Sequence, residues 1–212
     1  MSYEVVFTAK EFCEGLKELP FKIASEYNNV YPKNLLYNCG KLYNGLTLYS
    51  ADCWNLIKSY IWSDGKLSEK QGGYTYAPGR YGLGDWNGAT ILSKCSDISS
   101  SWKKEDLTPG EFILTADGNH AAIYVGEWTG SWEGKTYTWN VIECTPIWAN
   151  GIQATYVDEA GRRLSHKGGT QASAWAKHGK LPWVNYGNKV LKVGDTLTVA
   201  SINDAEIVLR RN

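Results

Sequence analysis

The chain has 212 residues and carries 22 Lys and Arg against 22 Asp and Glu, so it is neutral overall at pH 7. That balance excludes a partner held by bulk charge, and no nucleic acid is expected. There is no apolar run of about 18 residues, so no segment is expected to insert in a membrane. Ten Trp and 14 Tyr against four Phe favour partly wet surfaces such as a groove for sugar or peptide.

The five cysteines, at 13, 39, 53, 95 and 144, are odd in number and widely spaced. They form no CxxC pair or zinc-knuckle spacing and read as reduced thiols of a protein made in the cytosol. The start, MSYEVVFTAKEF, lacks the pattern of a standard signal peptide.

In chain order, Thr8 followed by Glu11 is a capping-box pattern, and Phe12, Leu16 and Leu19 continue an apolar face up to Pro20. This predicts a short amphipathic helix. Residues 31–49, rich in Tyr, Asn and Gly, read as irregular. Ser50 and Asp52 are capping residue types. Cys53, Leu56, Ile57, Tyr60 and Ile61 then follow the spacing of a buried helical face, which predicts a helix over about 52–62. Cys53 stands in its first turn, where free N–H groups and the dipole favour thiolate over thiol.

Residues 63–88 form a long Gly/Tyr segment with turn dipeptides throughout. Its part at 71–88 is expected to line a cleft beside Cys53. Tyr76, Asp85 and Trp86 there, with Asp52 and Trp54 beside the cysteine, are the expected substrate-binding residues. A short helix is expected at 88–95. Strands are expected at 111–116, 120–126, 137–145 and 152–157, and a β-hairpin near the C-terminus. A composition shift near residue 187 divides the chain into a main domain at 1–187 and an extension or second module at 188–212.

A thiol nucleophile needs a base, and the base needs an orienting group. Of the three histidines, His166 and His178 lie in polar, Gly/Lys-rich contexts and read as solvated. His120 opens a strand directly after a turn. A hairpin centred near Ser131 and Trp132 places Glu143 opposite it, with Cβ atoms about 5 Å apart. A slip of one residue would turn Glu143 to the other face.

These residues, in the order DCWNLI, LTPGEFIL, GNHAAIYVG and VIECTP, resemble the NlpC-like cell-wall cysteine peptidases, in the variants found in phage and prophage endolysins. The resemblance covers roughly residues 8–187. It implies an α+β, papain-like fold: N-terminal helices, with the catalytic cysteine at a helix start, packed on an antiparallel sheet. It rests on Asp52-Cys53, on Pro109-Gly110-Glu111, and on His120 with Ile123, Tyr124 and Gly126. Three departures stand out: Trp54-Asn55 replaces the usual Ser-Gly, Glu111 replaces an Asp, and the third polar residue is a carboxylate, as in CHAP amidases.

The implied chemistry is attack by Cys53 on an amide, with His120 as acid–base and Glu143 orienting it. Neither cofactor nor metal is expected, for the chain carries no HExxH. The expected partner is bacterial peptidoglycan, reached from the host cytoplasm after release. Alternatives are a CHAP-like muramoyl amidase, acyl transfer to an amine, and a non-catalytic wall-binding module.

Overall fold

A computed structural model describes residues 3–27, 38–43, 46–66, 76–165 and 170–187. A two-residue strand β1 (Phe7–Thr8) leads into α1 (Ala9–Lys22). The capping box at Thr8 forms as the sequence requires: the Thr8 amide donates to Glu11 Oε2 at 2.9 Å and the Glu11 amide to Thr8 Oγ1 at 3.2 Å. The helix runs through Pro20, which falls in the last turn, and buries Phe12, Cys13, Leu16 and Leu19.

Three strands follow, β2 (Ala24–Tyr27), β3 (Asn38–Tyr43) and β4 (Leu46–Ala51), in one small sheet of order β2-β4-β3. The expectation of irregular structure over 31–49 is therefore wrong for β3 and β4, whose pairing is not visible in local pattern. α2 (Cys53–Trp62) begins where expected, with Asp52 Oδ1 accepting from the Asn55 amide at 2.7 Å. It is buried nearly all round, which makes it a core helix rather than a surface one.

After α3 (Gly88–Leu92) comes β5 (Ser96–Ser99). The main sheet continues with β6 (Phe112–Thr115), β7 (Ala121–Trp132), β8 (Lys135–Thr145), β9 (Gly151–Val157), β10 (Arg162–Leu164) and β11 (Thr170–Lys180). A last strand, β12 (Val184–Asn185), pairs with β1. The main sheet has the order β10-β9-β8-β7-β6-β11-β5, all antiparallel, and a further pairing of β10 with β11 closes β6 to β11 into a ring of six strands. The protein is thus α+β with one large antiparallel sheet and few helices.

The ring has two faces with different work. Ala121, Ile123, Val125, Ile142 and Cys144 point outward into a core shared with α1 and α2. Ile113, Ala122, Tyr124, Val141, Val157 and Trp175 point inward. The hairpin of β7 and β8 turns at Glu133 and Gly134, with φ of +49° and +75°, the pair of positive angles of a tight two-residue hairpin turn. That turn lies two residues beyond the expected centre. Between Tyr124 and Trp128, β7 also carries two residues more than β8. Together these place Glu143 opposite Ala122 instead of His120. A shift of two residues keeps the side-chain face, so the expected contact survives the wrong register. The predicted extension at 188–212 lies outside the described residues.

Candidate active site

The His120 ring reaches back along the inner face to Glu143, with Nε2 to Oε2 at 2.6 Å. Glu143 is fully buried and makes two further bonds, accepting from Thr155 Oγ1 at 2.6 Å and from Arg163 Nη2. Burial alone would push its carboxyl up, but the His120 hydrogen bond and the Arg163 charge outweigh it and bring it down to about 2. Glu143 is therefore an anion and can only accept. His120 Nε2 must carry the proton of that bond, which leaves Nδ1 as the nitrogen free to exchange one.

Trp175 stacks on the imidazole, ring centroids 5.3 Å apart and planes at 26°. The Arg163 guanidinium lies over the same indole at 5.0 Å and over Trp148 at 5.7 Å. Sequence reasoning missed Thr155, Arg163 and Trp175. Of the three, only Thr155, set between Ala154 and Tyr156, carries a signal of strand alternation.

Cys53 lies on the other side of the strand wall. Its sulfur is faced by the N–H groups of Ala121, Trp54 and Cys53 itself, so thiol and imidazole flank the rim where β7 begins. Among the described residues no hydrogen bond joins Cys53 to His120. Burial and the Asp52 carboxylate push the thiol up to about 12, and the backbone N–H groups offset only part of this. The expectation that the helix start would favour thiolate is corrected accordingly: desolvation outweighs the dipole. Tyr27 from β2 stands nearby, its phenol raised to about 12 by burial and by the charge of Cys53, Asp52 and Cys144. Cys144 donates its S–H to the carbonyl of Ala51 at 3.3 Å.

The expected binding residues divide. Asp52 caps α2, and burial raises its carboxyl to about 6. Trp54 packs at the core margin, where a Cβ on Gly88 would approach its ring to 3.0 Å. Tyr76 donates to Asp85 Oδ2 at 3.1 Å, and Asp85 is paired with the buried ammonium of Lys58. A substrate amine at Asp85 would have to compete with Lys58. Trp86 packs on Trp183 at 6.3 Å and is held by the fold. Residues 71–75 of the expected cleft wall lie outside the described residues, as does His166.

His178 corrects a second expectation. It is buried, not solvated, and its Nδ1 lies 2.6 Å from Glu111 Oε2 inside the same ring. Its Nε2 is buried and has no hydrogen-bond partner among the described residues. No group of three or more His, Cys, Asp or Glu side chains that could hold a metal ion occurs among the described residues. Comparison with protein-family models, with curated proteins and with solved structures finds no match.

Proposed function

We propose that the protein is a peptidoglycan hydrolase that cleaves an amide bond of the stem peptide with Cys53 as nucleophile. The observation that carries the catalytic part is the buried anion Glu143 bonded to His120 Nε2 at 2.6 Å, one residue along the strand from the amide that faces the Cys53 sulfur. The substrate class rests on the motif resemblance around Asp52-Cys53, Pro109-Gly110-Glu111 and His120.

Cys53 starts as a neutral thiol, so its proton leaves as sulfur attacks the carbonyl. His120 Nδ1 takes that proton, which requires the ring to close over the rim at Ala121. Such bonds commonly tighten only with substrate present. The imidazolium, oriented by Glu143, then passes the proton to the departing amine. Water, deprotonated by the same nitrogen, releases the acyl group and restores the thiol. Backbone N–H groups at the start of α2 are placed to receive the developing oxyanion.

Digestion of purified walls, with the new termini identified by mass spectrometry, tests the reading. A new amino terminus within the stem peptide supports it. A free lactyl group on the glycan assigns the muramoyl amidase alternative. Failure of the wild-type protein to create any terminus, with Cys53 shown to be reduced, overturns both.

A further inference from the structure

We infer that Arg163 is a positioning residue that neutralises Glu143, so that Glu143 can orient His120 without drawing a second proton onto it, an assignment that rests on the thiol-hydrolase reading of the site. Glu143 Oε2 receives both His120 Nε2 and Arg163 Nη2, while Oε1 receives Thr155. A single buried carboxylate oxygen is thus shared between a permanent cation and a titratable ring. Arginine does not lose its proton in proteins, so its charge is a constant of the site.

The charge count decides the direction. With Arg163 present, Glu143 and a neutral His120 sum to zero, and a second proton on His120 would add an uncompensated buried charge. Without Arg163, a neutral His120 would leave Glu143 as the uncompensated charge, and protonation would relieve it. Uncompensated buried charge is the costly state. Arg163 therefore favours the neutral imidazole. That is the form a base needs when its partner is a protonated thiol.

The guanidinium is held for this work. Arg163 is buried, donates from Nη1 to Ser173 Oγ at 3.1 Å, and lies over the indoles of Trp148 and Trp175. Other charged groups near this end of the ring are committed elsewhere. On the turn before β7, Asp117 accepts from Thr115 Oγ1 at 2.6 Å and from the Asn119 amide at 3.1 Å. On β11, Lys177 donates to the Ala116 carbonyl at 3.4 Å. From α2 and β8, Asp52, Cys53 and Cys144 act on the outer side of the wall.

The test is an imidazole nitrogen titration of His120 by NMR in the full chain, wild type against Arg163→Met and Arg163→Lys, alongside the pH dependence of kcat/KM on walls. In the wild type at neutral pH, Nε2 should carry hydrogen and Nδ1 should be bare. Arg163→Met should leave Glu143 without its fixed counter-charge and so move the acid limb of kcat/KM to higher pH, while Arg163→Lys stays near the wild type. Coincident titrations in wild type and Arg163→Met overturn the inference. Should Arg163→Met fail to fold, the wild-type spectrum decides: an imidazolium at neutral pH overturns the inference, and the Nε2–H tautomer supports it. The spectra need no activity. An inactive wild-type protein therefore refutes the hydrolase reading without touching the charge assignment.

Discussion

Two histidine–glutamate pairs lie inside one ring of strands, alike in length and in the burial of their carboxylates but not in what surrounds them. His120–Glu143 and His178–Glu111 are both joined at 2.6 Å. The first has an arginine and a threonine on its carboxylate and a thiol across the rim, and its imidazole keeps 13% of its side-chain surface exposed. In the second, no lysine or arginine among the described residues bonds to the carboxylate, although Lys180 acts on it through its charge, and the ring is 5% exposed. The consequence is opposite for the two acids. Glu143 is driven down to about 2, whereas burial raises Glu111 despite the His178 hydrogen bond. A carboxylate beside a histidine is not by itself an active site. What separates the pairs is the arginine bonded to one carboxylate and, on the proposed reading, the thiol at the rim beside its histidine.

The largest expected effect concerns the nucleophile. Cys53→Ala should lower wall hydrolysis by on the order of a thousandfold or more, with little change in melting temperature. Cys95→Ala, on the half-buried thiol that feels Glu111, should leave the rate near that of the wild type. Turbidity assays on both variants check this, and equal activity of Cys53→Ala and wild type would break the comparison at its root.

Next is the carboxylate pair. Glu143→Gln should slow turnover by about a hundredfold or more, because a neutral amide cannot stabilise an imidazolium. Glu111→Gln should change it less than about twofold, because Glu111 is bonded to His178 and takes no part in the proposed chemistry. Their effects on acid stability should differ in sign. Glu143 has a folded value below its unfolded one of 4.5, so its contribution is present above that value and is lost as pH falls toward about 2. Its full size is about 3 kcal/mol. Glu111 is raised above 4.5, so its contribution is present below that value and is lost as pH rises through the folded value. Melting temperatures of the two variants across acid pH measure both slopes, and parallel slopes would contradict the assignment.

A smaller effect sharpens the thiol side. Asp52→Asn keeps a capping side chain but removes the charge that raises Cys53. Alkylation of Cys53 by iodoacetamide above neutral pH should become severalfold faster, because more of the sulfur is then thiolate. Below about pH 6, where Asp52 itself takes a proton, the two proteins should react alike. A constant ratio across that range would show that Asp52 does not act through its charge.

Much of this was legible in local pattern. The capping box at Thr8 and Glu11 marks α1, and the apolar spacing from Cys53 to Ile61 marks α2, because helix caps and helix faces are contacts within a few residues. The strands around Phe112, Ala121 and Gly151 show as apolar runs. The strands β10 and β11 do not, since they turn Arg163 and His178 inward and so break the alternation that marks a half-buried strand. Such polar residues read as solvated until their partners are known, and the partners of His178 and Arg163 lie on other strands.

Local pattern settles the helix starts, the chemical types at 53, 120 and 143, and the strand face that His120 and Glu143 share, because parity along a strand survives an error of two residues. The ring closure, the hairpin register and the choice of carboxylate that meets an arginine come from long-range packing. The same packing keeps Cys53 a thiol. Those outcomes depend on desolvation and on charges brought together from strands far apart in the chain, as Arg163 and Glu143 are from His120, and no local pattern encodes either.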